Sequence, residues 1–148
     1  MDLQLSGKRA LVTGGSRGIG KAIARGLAEE GADVVLLARS PEPLAQAAAE
    51  LSAHTGRRVV GVCADTTSDE QIRVAFAQAV RELGGPIDVL VNAAAEPAGF
   101  AGPPRLADIQ ATYFHGELDT KVMGYIRCAQ QVVQGMRDQG WGRIVNFS

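Results

Sequence analysis

Leu11-Val12-Thr13-Gly14-Gly15-Ser16-Arg17-Gly18-Ile19-Gly20 is the stretch on which the reading of this 148-residue chain turns. A short apolar strand over residues 10–12 runs into a glycine-rich turn, and an alanine-rich helix starts at about Gly18. Strand, tight turn and helix in that order form the first unit of a dinucleotide-binding fold. Gly14 and Gly15 allow a sharp turn and tolerate positive φ, which a Cβ penalises. Gly18 and Gly20 remove side chains where a pyrophosphate approaches the first helical turn. The free N–H groups and positive end of that helix then meet the phosphate charge. The alternative is a glycine-rich turn that binds nothing.

Outward from this turn, strands and helices alternate. The first helix, over 18–30, carries Ile19, Ala22, Ile23 and Leu27 at helical spacing, and Gly31 is a natural C-cap. Residues 33–38 are a continuous apolar run, as expected of a strand buried on both faces. A second helix starts at Pro41 and Pro43 and runs through Leu44, Ala48 and Leu51 to about His54, and a third strand covers 58–62. Ser68-Asp69-Glu70 supplies an N-cap and a negative first turn to a helix ending near Leu83, with Ile72, Ala75, Phe76 and Val80 as its buried face.

Gly84-Gly85-Pro86 breaks the chain before a fourth strand over 87–91. Residues 96–104, rich in Gly and Pro, are irregular and form either a substrate lid or a connector. A short helix over 106–114 and a longer one over 116–139 follow. The longer one has Leu118, Val122, Tyr125, Ile126, Ala129, Val133 and Met136 along one broad apolar face, and a fifth strand covers 143–147. Right-handed crossovers between such strands give a doubly wound parallel sheet of order 3-2-1-4-5.

Composition narrows the class. Lys plus Arg number 15 against 16 Asp plus Glu, a net charge of −1, so no basic field recruits nucleic acid. No segment is long or apolar enough to span a bilayer, and the first eight residues carry no apolar signal core. Cys63 and Cys128 stand far apart without metal-ligand spacing and read as buried small hydrophobes. His54 and His115 read as surface residues. The expectation is one α/β domain over 1–148 in a reducing, cytoplasmic compartment.

The spacing Thr13-Gly14-x-x-x-Gly18-x-Gly20 departs from the commoner G-x-G-x-x-G and resembles the short-chain dehydrogenase/reductase family, a likeness that extends over the whole chain. It implies a Rossmann-type sheet and a nicotinamide cofactor held by Gly14, Ser16, Arg17, Gly18, Ile19 and Gly20 at the turn. An acidic residue at the end of the second strand pairs with the ribose hydroxyls of NAD. Here Arg39 and Ser40 stand there instead, and a guanidinium suits a 2′-phosphate, with Arg17 reaching it from the other side. The pattern favours NADP over NAD. Alternatively, both arginines are solvated surface groups.

Asp65, with Ala64 before it, matches the family position that contacts the adenine, a carboxylate accepting from the exocyclic amine. Alternatively, residues 65–69 are a turn and helix cap, and both roles are compatible if different residues serve each. Where the family usually shows Asn-Asn-Ala-Gly this chain reads Asn92-Ala93-Ala94-Ala95. Asn92 ties neighbouring strands through its amide, and the small residues Ala93 and Ala94 keep backbone atoms close to the ribose. The helix position that often holds an Asn holds Lys121, which is donor-only. Lys121 feeds protons, binds a substrate anion, or is simply a surface lysine.

The family's catalytic serine and Tyr-x-x-x-Lys are not found in these 148 residues. There the tyrosine exchanges the proton as hydride moves between nicotinamide and a carbonyl or alcohol, the lysine lowers the phenol's pKa, and the serine polarises the oxygen. Tyr113 and Tyr125 have no lysine four residues later, and Ser148 comes too early to be taken as catalytic. The resemblance therefore implies the N-terminal, cofactor-binding portion of an oxidoreductase that is a homo-oligomer when complete. As it stands the chain reads as an inactive dinucleotide-binding module, with its fifth strand as an apolar edge and its long helix short of a packing partner.

Overall fold

The computed structural model describes residues 2–95 and 105–147. The expected lid or connector over 96–104 lies outside the described residues. Five parallel strands, β1 (Arg9–Thr13), β2 (Asp33–Ala38), β3 (Val59–Cys63), β4 (Val89–Asn92) and β5 (Arg143–Asn146), form one sheet in the order β3-β2-β1-β4-β5. In register, Ala10 stands between Val34 and Val89, and Thr13 between Leu37 and Asn92, so the carboxyl ends of the central strands finish level. The expected Rossmann-type topology is the one observed.

Alternation along β1, β2, β3 and β4 sends their apolar residues to two separate cores. Leu11, Val35, Leu37 and Leu90 face α3 (Asp69–Leu83) and α5 (Gly124–Asp138), while Ala10, Val12, Val34, Leu36, Val89 and Val91 face α1 (Gly18–Glu29) and α2 (Pro41–Thr55). Local signals fix the helix starts. Pro41 opens α2 after Ser40, and the Ser68 hydroxyl accepts the Gln71 N–H at 3.3 Å to cap α3.

Helix faces are where sequence spacing and structure part. α1 buries Gly20, Ala24 and Ala28; Ile23 and Leu27 only flank the core, and Ile19 is 56% exposed. Helix phase here is set by the contact of Gly20 with the turn, and a stripe of small residues lets the helix lie close to the sheet. In α3, Ala79 is buried in place of Val80. Cys128 is buried as expected, whereas Cys63 is exposed because it ends β3 with its side chain outside both cores.

The region after residue 105 differs most. The short helix expected over 106–114 is a single 3-10 turn at Leu106–Asp108. The long helix begins earlier, as α4 (Ala111–Leu118), and passes through a π turn, Asp119–Met123, into α5. The π turn adds a residue to one helical turn and rotates the apolar stripe. α5 therefore buries Gly124, Cys128, Val132 and Met136, leaving Leu118, Val122, Ile126 and Val133 exposed together with Ile144 and Val145 of β5. Among the described residues no helix is long and apolar enough to cross a membrane.

Candidate functional site

The residues matched from sequence to a cofactor, from Gly14 to Gly20, Arg39, Ser40, Ala64, Asp65 and Asn92 to Ala94, follow the carboxyl ends of β1, β2, β3 and β4 at one end of the sheet. Thr13, fully buried at the end of β1, is the joint. Its Oγ1 accepts the N–H of Ala93 and of Ala94, each at 3.1 Å, and so fastens the segment after β4 to the glycine turn. The Gly14 N–H donates to the Leu37 carbonyl at 2.8 Å, fastening the turn to β2 as well.

The four glycines then divide their work differently from the expectation. Gly14 takes φ +68°, and a Cβ there would lie 2.8 Å from the Ala93 carbonyl oxygen. Gly15 does not have positive φ; its demand is space, because a Cβ would press on Leu36. Gly20 serves the protein's own packing, since a Cβ would collide with the Gly14 carbonyl. Gly18 differs from the other three. It combines φ +55° with open space on the side a Cβ would occupy. Arg17 before it is extended and exposed, and α1 has neither a side-chain cap nor an acidic residue in its first turn. No carboxylate of the first turn therefore competes for its N-terminal N–H groups. Ser16 is half-buried and Ile19 exposed beside them.

At the end of β2, Arg39 and Ser40 are exposed, and the Arg39 carbonyl accepts the Cys63 thiol at 3.1 Å. Ala64 is buried, with its N–H on the Ala38 carbonyl at 3.0 Å. Asp65 follows. Its Oδ1 accepts the Thr67 N–H at 2.9 Å and the Thr67 hydroxyl at 2.8 Å. Turn capping thus falls on Asp65 itself rather than on separate residues, and Ser68 caps the helix. Partial burial would raise the carboxyl's pKa. The two Thr67 hydrogen bonds and the charges of Arg39 and Arg127 outweigh it and hold the group below its ordinary value.

Asn92 is fully buried at the end of β4. Its Nδ2 donates to Asn146 Oδ1 at 2.8 Å and reaches the Tyr125 carbonyl at 3.5 Å, tying β4 to β5 and α5. Tyr125 in turn donates its hydroxyl to the Phe147 carbonyl at 2.6 Å, and burial pushes its phenol pKa up. That hydroxyl is occupied in holding the end of β5. Lys121 lies exposed on the π turn. His115 is exposed, and His54, also exposed, sits 3.0 Å from Glu29 Oε1 and from an Arg25 guanidinium nitrogen on α1, away from this end of the sheet. Among the described residues no group of three or more His, Cys, Asp or Glu is placed to hold a metal ion.

Two contributors carry no sequence expectation. The Thr13 hydroxyl stands inside the quoted motif, yet only the pairing of β1 with β4 reveals its partners. Arg127 reads as one more helix residue until α5 is laid against α3.

A parallel sheet of order β3-β2-β1-β4-β5 with helices between its strands and a glycine turn between β1 and α1 defines a Rossmann-type fold. The short chain dehydrogenase family model matches residues 8–148, and the chain belongs to that oxidoreductase family. It is 36% identical over 145 residues to the ketoacyl reductase HetN of Nostoc sp., covering 97% of this chain and 48% of that protein. It is 34% identical to D-xylose 1-dehydrogenase of Caulobacter vibrioides, covering 97% of this chain and 54% of the relative. The fold superposes on L-sorbose reductase from Gluconobacter frateurii, solved with NADPH and L-sorbose, with a TM-score of 0.88 at 37% identity over 97% of this chain and 53% of that one. The chain spans about half the length of these relatives.

Proposed function

We propose that these residues form one dinucleotide-binding domain, and that the whole protein uses it as an NADP(H)-dependent oxidoreductase. Hydride would move between the nicotinamide and a carbonyl or secondary alcohol of a small molecule. The observation that carries this reading is Gly18, the one glycine of the turn that the fold keeps clear without needing the space itself.

In this reading the N–H groups from Ser16 to Gly20 and the positive end of α1 receive the pyrophosphate. Arg17, Arg39 and Ser40 receive the 2′-phosphate, where a guanidinium offers charge-assisted bonds that an acidic residue would deny. Ala64 and Asp65 border the adenine, while Asn92, Ala93 and Ala94 border the ribose. A bound nicotinamide cofactor supplies the two electrons as hydride. Support comes from the relatives too, since both L-sorbose reductase and actinorhodin polyketide ketoreductase were solved with NADPH.

Within the 148 residues no Tyr-x-x-x-Lys occurs. The chain by itself is proposed to bind cofactor without turnover. The exposed apolar stripe of α4 and α5 supports self-association of the whole protein, and two free cysteines are consistent with a reducing, cytoplasmic setting. Titration of the chain with NADPH and with NADH, followed by cofactor fluorescence, tests the reading. Saturable binding with NADPH preferred supports it, and a folded chain that binds neither overturns it.

A further inference from the structure

We propose that Arg127 is a positioning residue that locks the π turn of the α4–α5 helix against the turn bearing Asp65, so that the two move as one; its second half, coupling to the cofactor, rests on the reading above. The guanidinium, on a side chain only 14% exposed, meets both elements. On its own helix, Nη2 pairs with Asp119 Oδ1 at 2.8 Å and Nη1 donates to the Asp119 carbonyl at 3.3 Å. That carbonyl also accepts the Gly124 N–H, the bond that closes the wide turn. Across the interface, Nε donates to Asp69 Oδ1 at 2.5 Å and Nη1 to the Thr66 carbonyl at 3.2 Å.

The contact is close as well as polar. A Cβ on Gly124 would come within 3.3 Å of the Thr66 side chain, so the helix axis passes hard against residues 65–68 at the point where it widens. One planar fork satisfies acceptors on two elements at once, which a lysine's single nitrogen does not reproduce. π turns cost hydrogen-bond geometry and persist where surrounding structure holds them. Here the holder is Arg127, and what it holds is the segment carrying Lys121. Asp65, two residues before Thr67 and within electrostatic range of Arg127, lies on the other side of the same clamp.

The test is amide hydrogen exchange of the chain with Arg127→Met, Arg127→Lys and Asp69→Asn, each with and without NADPH. Without cofactor, Arg127→Met should exchange amides of residues 119–124 about tenfold faster or more, with strand amides of β1, β2 and β4 unchanged. Arg127→Lys should recover little of that protection. Asp69→Asn removes only the limb to α3 and keeps the chain folded if Arg127→Met does not. In the parent chain NADPH should slow exchange at 65–67 and also at 119–124; the slowing at 119–124 should vanish in Arg127→Met and shrink in Asp69→Asn, which keeps the contact with the Thr66 carbonyl. Unchanged exchange over 119–124 in the Met variant, or cofactor protection of 119–124 undiminished in both Arg127→Met and Asp69→Asn, overturns the proposal. If NADPH protects nothing in the parent chain, the cofactor reading falls, and the cofactor-free comparison still decides whether Arg127 holds the turn.

Discussion

Gly20 stands against the carbonyl oxygen of Gly14, so close that a single added methyl group would overlap it. This contact sets where α1 leaves the turn, and hence the stripe Gly20, Ala24 and Ala28 that rests on the sheet. Gly20→Ala should therefore destabilise the fold by about 1–3 kcal/mol, the usual cost of overpacking a fitted site. Urea denaturation reads this directly. A stability within about 0.5 kcal/mol of the parent, the range of a neutral surface change, would mean that the turn adjusts freely.

Thr13 offers a second, independent handle on the same end of the sheet. Thr13→Val keeps the shape and leaves the N–H groups of Ala93 and Ala94 without their acceptor. The cost should be about 1–3 kcal/mol, as for buried donors left unsatisfied. Thr13→Ser retains the oxygen and should recover most of the loss. If Val and Ser behave alike, the hydroxyl is not what joins β1 to the segment after β4.

Asp65 makes the acid limb of stability predictable in sign. Its carboxyl pKa is depressed below the ordinary 3.8 by the Thr67 hydrogen bonds and by Arg39 and Arg127, against the opposing pull of partial burial. A depressed folded value contributes stability that is fully present above the unfolded pKa and is lost as pH falls through the folded one. The urea midpoint of the parent should thus drop below about pH 4 more steeply than that of Asp65→Asn. Parallel acid limbs for the two would contradict the assignment.

The thiols should separate cleanly. Burial pushes the Cys128 pKa up to about 12, whereas Cys63 is exposed. A thiolate reagent at pH 8 should label one cysteine in the folded chain and two in denaturant. Labelling of Cys128 at a rate comparable to Cys63 would show that the core around α5 opens readily.

What sequence made legible follows from how local each signal is. The strand positions rest on apolar runs and glycine punctuation, both strong here, their order on right-handed crossovers between them, and the turn at residues 13–20 identified its own fold. Helix faces were less legible because Ile19, Ala22, Ile23 and Leu27 satisfy helical spacing as well as Gly20, Ala24 and Ala28 do. Only the Gly14 contact chooses between them. The π turn left no periodic signature, since an extra residue in one turn looks like a change of stripe; Met136 is buried as expected, but Cys128 and Val132 take the places expected of Val122, Ile126 and Val133. Among the site residues, Asn92 tying strands was readable from its amide chemistry. Arg127 was not, because its partners Asp69 and Thr66 are far away in sequence.

On the proposed reading, cofactor choice turns on Arg39. Arg39→Asp should weaken NADPH binding by tenfold or more and leave NADH binding equal or improved, because a carboxylate repels a 2′-phosphate and accepts ribose hydroxyls. Competition titrations with the two cofactors read the ratio. An unchanged ratio would place the phosphate elsewhere.

On the proposed reading, the cofactor's phosphates lie on the open side of Gly18. NADPH titration of the parent chain beside Gly18→Val, with circular dichroism to verify that both are folded, tests it most directly. Saturable binding by the parent and none by the folded variant is the expected result. Equal affinity in the two, or no binding by a folded parent, would contradict it.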